Sequence, residues 1–134
     1  MKIDFAIQND LAKLSFLDKH ISEKELANLI SLNRVLVARA DDKICGWLRC
    51  NLFWDNIPFM NMLYVLDEYR NKQLGAKLVE FWEKEMRTQG YTKLMTSTLS
   101  NEDAQHFYRK LGYKDCGGLL LPNEPLEILF IKIL

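Results

Sequence analysis

Hydrophobic and polar positions follow two periods along this chain, and these periods predict its secondary structure. Segments in which apolar and polar residues alternate, or in which β-branched and aromatic residues cluster between turn residues, predict seven strands. The predicted strands are Lys2–Ile7, Arg34–Ala40, Lys43–Trp54, Phe59–Val65, Leu94–Leu99, Tyr113–Leu121 and Leu126–Ile133. The fourth strand is apolar on both faces apart from Asn61, which indicates the centre of a sheet.

Apolar residues at helical spacing predict four helices between these strands. Asp10 is predicted to cap the first helix, and Ser22 with Glu25 forms a capping box at the start of the second. The third and fourth helices should end at Gly90 and Gly112, because glycine is favoured just after a helix. The apolar stripes are Leu11, Leu14 and Leu17, then Leu26, Leu29 and Ile30, then Leu74, Leu78, Phe81, Trp82 and Met86, and finally Ala104, Phe107, Tyr108 and Leu111.

The predicted order of elements, β-α-α-β-β-β-α-β-α-β-β, indicates a mixed α/β domain. Strands Phe59–Val65 and Leu94–Leu99 flank one helix, so they should form a parallel βαβ unit with a right-handed crossover. The outer hairpins add antiparallel pairs. The chain has 134 residues and contains no linker or repeat, so we expect a single domain over residues 1–134.

Charge and cysteine content exclude several classes of function. The chain has 18 Lys and Arg against 18 Asp and Glu, so no basic excess favours nucleic acid or an anionic membrane surface. The apolar runs are far shorter than a membrane span, and the first residues lack the apolar core of a signal peptide. Cys45, Cys50 and Cys116 form no Cys-x-x-Cys motif, so we expect free, buried thiols, no metal site and a reducing cytoplasm.

The segment from Tyr64 to Ala76 carries the clearest chemical signal. A central strand ends, a polar loop follows, and a helix begins at small residues, which directs unpaired N–H groups and a positive dipole end at the loop. Arg70 and Lys72 add charge, and Gly75 and Ala76 allow close approach, so the segment predicts a pyrophosphate site. The alternative is an ordinary strand-to-helix loop with two solvated cations. The loop is neither a Walker A motif nor a dinucleotide fingerprint.

Two motifs in this order resemble those of the GNAT superfamily of N-acetyltransferases. The segment Arg70-Asn71-Lys72-Gln73-Leu74-Gly75-Ala76 resembles its acetyl-CoA signature, Arg/Gln-x-x-Gly-x-Gly/Ala. The segment from Asn101 to Tyr113 resembles its second motif, Asn-x-x-Ala-x-x-Phe-Tyr-x-x-Leu-Gly-Phe. The resemblance implies a central mixed, mostly antiparallel sheet with helices on both faces. It also implies acetyl transfer from acetyl-CoA to an amine of a small molecule or protein. A non-catalytic acyl-CoA-binding module of the same fold is the alternative.

The resemblance also implies roles for individual residues. Backbone groups of Leu63 and Val65 would bond the pantetheine arm and the thioester carbonyl, and the Tyr108 phenol would protonate or hydrogen-bond the departing sulfur. Asn101 would bond the pantetheine arm or cap its helix. The pyrophosphate would be held by the loop and the helix start, at Arg70, Lys72, Gln73, Leu74, Gly75 and Ala76.

One position departs from the family pattern. Gln73 stands where the family usually has its first glycine. If the backbone there requires a positive φ, glutamine costs about 1 kcal/mol of strain. If it does not, the cost is small and the side-chain amide gains access to phosphate.

The sequence identifies neither the general base nor the acceptor amine of the acetyl transfer. The family often places a carboxylate on the central strand, but Phe59–Val65 contains none. Asp55 and Glu124 in neighbouring turns and a water relay through Asn61 are the alternatives, so no base is assigned. The two carboxylates, Asp55 and Glu124, favour a cationic acceptor. The sequence leaves both a monomer and a homodimer as alternatives.

Overall fold

A computed structural model describes all 134 residues, Met1 to Leu134, as seven strands and four α-helices. The strands β1 to β7 are Lys2–Phe5, Val35–Ala40, Lys43–Phe53, Ile57–Val65, Lys93–Leu99, Lys114–Leu119 and Glu127–Ile133. The helices α1 to α4 are Leu11–Leu17, Glu23–Ser31, Leu74–Thr88 and Ala104–Lys110. The order of elements is the one that the sequence pattern predicts.

The strands form one sheet in the order β1-β2-β3-β4-β5-β7-β6, with β4 at its centre as predicted. The β1–β2, β2–β3, β5–β7 and β6–β7 pairs are antiparallel. The β4–β5 pair is parallel, which confirms the predicted βαβ unit around α3. The mixed, mostly antiparallel sheet therefore confirms the predicted fold class.

The chain forms two compact units, and β3, β4 and α3 contribute residues to both. The first unit comprises Met1–Asn51 and Met62–Trp82. Its core packs residues of α1 and α2 with residues of β2 and β3: Ala6, Leu14, Leu26, Leu29, Ile30, Val35, Val37, Ile44 and Trp47. The β2–β3 register shifts between Ala38 and Arg39, opposite Cys45, so β3 is irregular beside Gly46 where the sequence predicts a bend.

A buried ion pair lies inside the first unit, where α1 ends. The Arg49 Nε donates to Asp18 Oδ2 at 2.8 Å, and the side chains are only 7% and 1% exposed. The Trp47 indole N–H also donates to Asp18 Oδ2, at 3.1 Å, and the His20 N–H donates to Oδ1 at 3.0 Å. Because a buried charge needs such partners, this carboxylate fixes the end of α1 against β3.

The second unit comprises Leu52–Asn61 and Glu83–Leu134. Its interior contains an aromatic cluster in which the Tyr108 ring lies 6.0 Å from the rings of both Tyr113 and Phe130. The β6–β7 register shifts between Asp115 and Gly117, and β6 is the last strand of the sheet.

Two local predictions are wrong. Asp10 occupies the N-cap position of α1 but makes no side-chain bond to that helix. Its Oδ2 instead accepts from the Ile7 N–H at 2.8 Å and pairs with Arg39 at 2.6 Å, because the charged guanidinium of Arg39 is a stronger donor than a helix N–H. Cys116 is exposed rather than buried, since it lies on the edge strand β6, whose six residues are all exposed.

Cys45 and Cys50 are buried, and all three thiols are free, as predicted. The Ser22 hydroxyl accepts from the Glu25 N–H at 3.2 Å, which confirms half of the predicted capping box. No helix has the length and apolar content that a membrane crossing requires.

Candidate active site

The loop between β4 and α3 has an unusual backbone at two positions. Asn71 and Gln73 have φ values of +61° and +60°, whereas Lys72 between them does not share the left-handed conformation. Asparagine tolerates that region, but glutamine is strained there by about 1 kcal/mol. Of the two alternatives for Gln73, the structure has the strained one, and glycine is the residue that such a position favours.

The N-terminus of α3 opens directly from this loop. The first bond at this end runs from the Lys77 N–H to the Gln73 carbonyl at 3.1 Å, so the N–H groups of the first three helical residues have no acceptor in the helix. These residues are Leu74, Gly75 and Ala76. Leu74 is buried at 2% exposure, so only its backbone can reach a ligand. Free N–H groups at a helix start form a site for an anion.

Gly46 on β3 determines how closely the strand and helix approach in the first unit. A Cβ atom at Gly46 would lie 3.1 Å from the Tyr64 carbonyl oxygen, 3.3 Å from Leu78 Cδ1 and 3.4 Å from Leu74 Cδ2. The missing side chain therefore allows β3 to contact both the end of β4 and the first turns of α3.

Arg70 is exposed, yet its side chain contacts both the loop and the end of β4. Its Nε donates to the Val65 carbonyl at 2.9 Å, and a second guanidinium nitrogen lies 3.2 Å from Asp67 Oδ1. Its guanidinium also lies 5.2 Å from the centre of the Tyr64 ring, within the range of a cation–π contact. Lys72 is exposed, and its ammonium lies 5.7 Å from the Tyr69 ring. Arg70 thus joins the loop to the end of β4, and Lys72 is the more available cation.

The C-terminal part of β4 carries the two predicted backbone ligands. Leu63 and Val65 are half-buried. The pairs between β4 and β5 are Phe59 with Met95 and Met60 with Thr96, whereas β4 runs on to Val65. The splay of strands that the resemblance implies stays a prediction. Tyr64, on the other side of the strand, stacks on Trp47 with ring centres 5.0 Å apart.

Tyr108 lies on α4 and is buried at 6% exposure. Burial raises the pKa of Tyr108 to about 12, and a hydrogen bond with Thr96 offsets part of that rise. The Thr96 hydroxyl itself donates to the Met60 carbonyl at 2.9 Å. The phenol is therefore protonated at neutral pH, so it is able to donate a hydrogen bond to a developing anion.

Asn101 is exposed in the turn before α4. The alternative role of Asn101 as a helix cap is wrong, because α4 begins at Ala104 and its N-cap residue is Asp103, which makes no side-chain cap bond. The other role of Asn101, a bond to the pantetheine arm, stays a prediction.

The candidate bases are all accessible. Asn61, Asp55 and Glu124 are exposed, and Asp55 lies in a turn with a φ of +66°. The structure contains no group of three or more His, Cys, Asp or Glu side chains arranged to hold a metal ion.

The structure groups the predicted residues in two places. The first unit holds Leu63, Val65, Arg70, Lys72, Gln73, Leu74, Gly75 and Ala76, and the second holds Asn101 and Tyr108. Sequence reasoning missed Tyr64, the ring under Arg70, and the buried carboxylate Glu83, which bonds to Tyr113. No local pattern identifies either contact, although Tyr113 closes the second motif.

Comparisons with known proteins place this geometry in a family. The family model described as "Acetyltransferase (GNAT) family" matches residues 6–113. Among solved structures, PaiA N-acetyltransferase of Thermoplasma acidophilum in complex with coenzyme A is similar, with a TM-score of 0.83 and 20% identity, over 99% of this chain and 98% of that chain.

Two further structures share the fold. Arabidopsis thaliana Naa50 in complex with the bisubstrate analogue CoA-Ac-MVNAL has a TM-score of 0.84 and 20% identity, over 98% of this chain and 97% of that chain. An aminoglycoside 6′-N-acetyltransferase complexed with coenzyme A has a TM-score of 0.78 and 22% identity, over 99% of this chain and 97% of that chain. No curated protein matches the sequence.

Proposed function

Because the chain belongs to the acetyltransferase (GNAT) family, we propose how its residues divide the transfer of an acetyl group from acetyl-CoA to an amine. The chain is an acetyl-CoA-dependent N-acyltransferase, and we propose that residues 1–134 act as one domain. The alternative, a non-catalytic acyl-CoA-binding module, has no observation in its favour.

The helix start at Gly75 binds the pyrophosphate of acetyl-CoA in this proposal. The observation that carries it is the set of N–H groups at Leu74, Gly75 and Ala76 that have no acceptor within α3. Oriented N–H groups and the positive end of the helix dipole stabilise phosphate oxygens. Lys72 adds an exposed positive charge, and Arg70 contributes chiefly by holding the loop to the Val65 carbonyl.

The backbone of β4 stabilises the negative charge that develops on the thioester carbonyl oxygen in this proposal. Attack by a neutral amine on the thioester carbon forms a C–N bond and places negative charge on the carbonyl oxygen. A fixed N–H at Leu63 lowers the barrier because it is oriented before that charge develops. Val65 contributes its remaining backbone hydrogen-bonding capacity to the pantetheine arm.

Tyr108 acts on the departing sulfur. Collapse of the tetrahedral intermediate breaks the C–S bond, and the thiolate leaves with the electron pair. A coenzyme A thiol has a pKa near that of cysteine, about 8.5, whereas the pKa of Tyr108 is raised to about 12 by burial. The phenol therefore stabilises the thiolate by donating a hydrogen bond and does not give up its proton.

The acceptor is proposed to be a cationic amine that loses one proton before attack and a second proton from the same nitrogen as the tetrahedral intermediate collapses to the amide. Asp55 and Glu124 are exposed carboxylates in the β3–β4 and β6–β7 turns, and carboxylates favour cations. Water relayed by exposed Asn61 is a second route for the proton. The free thiols Cys45, Cys50 and Cys116 support a reducing cytoplasm as the compartment.

A homodimer through the β6 edge is part of the proposal. All six residues of β6 are exposed, and exposed Leu120 and Leu121 follow its last residue, Leu119. Free strand edges and apolar patches favour pairing between chains. Light scattering after size exclusion should give twice the mass of 15.8 kDa, and Leu120→Glu should give the monomer mass. A wild-type monomer at 100 µM would contradict the dimer.

One experiment tests the proposed function directly. Coenzyme A at about one hundred times its Kd should stabilise the protein by about 2.7 kcal/mol, measured as a shift in melting temperature. Arg70→Ala should reduce the shift. Release of free thiol from acetyl-CoA in the presence of a panel of cationic and neutral amines then measures turnover. A thermal shift without thiol release from any amine would favour the binding module instead.

A further inference from the structure

A buried polar network in the second unit lies next to Tyr108 and has no role in the mechanism above. Glu83 on α3 is 8% exposed. Its Oε2 accepts from the Tyr113 hydroxyl at 2.8 Å, and its Oε1 accepts from Lys132 Nζ at 2.9 Å. Tyr113 itself is 2% exposed. Because burying a carboxylate is costly, all of its bonds must be made together for the network to be tolerated.

The helix that carries Tyr108 cannot hold its position alone. Helix α4 has seven residues, and its N-cap residue Asp103 makes no side-chain bond. Helices of this length are unstable in isolation, so tertiary contacts must order them. The exposed Arg109–Asp115 ion pair contributes little to such ordering, because solvent weakens it.

The network holds the C-terminal end of α4 at two backbone atoms and one ring. Lys132 Nζ donates to the Leu111 carbonyl at 2.7 Å, which satisfies the last turn of the helix. The Tyr113 N–H donates to the Tyr108 carbonyl at 3.0 Å. The Tyr113 ring also lies edge-on to the Tyr108 ring, with an interplanar angle of 67°.

Glu83 also keeps the two adjacent phenols on separate hydrogen-bond partners. The Tyr113 hydroxyl is bonded to Glu83, so its proton is directed at the carboxylate. The Tyr108 hydroxyl lies outside this network, where its hydrogen bond is with Thr96 rather than with the carboxylate. Without Glu83, Tyr113 would need another acceptor inside the same aromatic cluster.

We infer that Tyr113, Glu83 and Lys132 are positioning residues for the Tyr108 phenol in acetyl transfer, an inference that rests on the proposed role of Tyr108. A hydrogen bond to a leaving group depends on sub-ångström placement. Loss of this network therefore lowers kcat through the geometry of Tyr108, while binding of acetyl-CoA is retained.

The test is a double-mutant cycle on the full chain between Tyr113→Phe and Tyr108→Phe. We expect Tyr113→Phe to lower kcat about tenfold, a fraction of what a misplaced catalytic group costs, and to leave KM for acetyl-CoA within twofold. In the Tyr108→Phe background the same change should alter kcat by less than twofold, because the phenol through which it acts is absent. Tyr91→Phe, a tyrosine without these bonds, is the matched control.

A second pair of variants keeps the test decisive if Tyr113→Phe folds poorly. Glu83→Gln retains an acceptor for Tyr113 and should keep kcat within threefold, whereas Glu83→Ala should lower it about tenfold. Equal kcat losses from Tyr113→Phe in both backgrounds, or a lower melting temperature at unchanged kcat, would overturn the inference alone. Full turnover in Tyr108→Phe would overturn the proposed role of Tyr108 and the inference with it.

Discussion

At the scale of single residues, the environment of Tyr108 decides what its phenol can do. The ring is packed between Phe107, Tyr113 and Phe130, and burial raises the pKa of Tyr108 to about 12. A phenylalanine ring would pack equally well at this position, so packing does not explain the hydroxyl group of Tyr108.

We expect Tyr108→Phe to lower kcat about 10²-fold with little change in coenzyme A affinity. The hydrogen bond to sulfur develops with charge, so its loss affects the transition state more than the bound ground state. Steady-state kinetics and calorimetric binding of coenzyme A measure the two effects. Since the pKa of Tyr108 is raised to about 12, wild-type kcat should not fall between pH 8 and 10 through loss of this proton. A loss of binding equal to the loss of turnover would contradict the role.

Gln73 gives a prediction about strain. Its φ of +60° costs a residue with a Cβ atom about 1 kcal/mol, and the greater entropy of unfolded glycine offsets about 0.4–1 kcal/mol of that gain. Gln73→Gly should therefore raise the free energy of unfolding by about 0–0.6 kcal/mol. Gln73→Ala keeps the strain and removes only the amide, which makes it the control. Urea unfolding measures both. If Gln73→Gly lowers stability as much as Gln73→Ala does, the strain argument is wrong.

At the scale of elements, the site depends on how β3, β4 and the start of α3 approach one another in the first unit. Trp47 on β3 bonds Asp18 and stacks on Tyr64 of β4, and Tyr64 lies under Arg70 of the loop. The loop conformation is thus supported by a continuous set of contacts that begins at the end of α1.

Gly46→Ala tests this packing. The new Cβ would lie 3.1 Å from the Tyr64 carbonyl oxygen, which is backbone and cannot easily move. We expect a destabilisation of about 1–3 kcal/mol and weaker coenzyme A binding, because the start of α3 must shift. Gly117→Ala is the control, since its Cβ would meet only Leu129 Cδ1 at 3.9 Å. Equal melting temperatures for the two variants would contradict the argument.

At the scale of the whole molecule, buried and paired carboxylates set the response of stability to pH. Burial would raise the pKa values of Asp10 and Asp18, but Arg39 and Arg49, together with backbone N–H donors, hold both below the ordinary value. A carboxyl group whose pKa is lowered by folding stabilises the native state above its unfolded pKa, about 3.9. That contribution is lost as the pH falls through the folded pKa.

We therefore expect the free energy of unfolding to fall steeply below about pH 4. Asp10→Asn keeps an acceptor for the Ile7 N–H but loses the charge that pairs with Arg39. This variant should therefore be less stable than wild type at pH 7, and it should lose less stability on acidification.

On the alkaline side, burial raises the pKa values of Tyr108 and Tyr113, so the free energy of unfolding should fall as the pH rises above about 10, where unfolded tyrosine ionises. Urea titrations from pH 2.5 to 11 measure both limits. A flat profile below pH 4 would contradict the role of these carboxylates.

Much of the fold and part of the site could be predicted from sequence, because they follow from local rules. Periodicity located all seven strands and four helices. Gly90 and Gly112, with φ values of +94° and +93°, end α3 and α4 as predicted. The approximate bounds of β4, the loop and α3 depend only on neighbouring residues, so the helix start at Gly75, where we propose an anion site, was predictable from the motif.

Tertiary structure alone decided the features that depend on distant residues. Whether Gln73 is strained depends on the path the chain takes between β4 and α3, and whether Arg70 is free depends on Val65 and Tyr64. Cys116 is exposed because β6 lies at the edge of the sheet, a matter of strand order rather than of its neighbours in sequence. The bond between Glu83 and Tyr113 joins residues 30 positions apart, and no local pattern encodes it. Local propensity thus determined the elements and motifs of this protein, whereas long-range packing determined protonation, strain and the availability of each side chain.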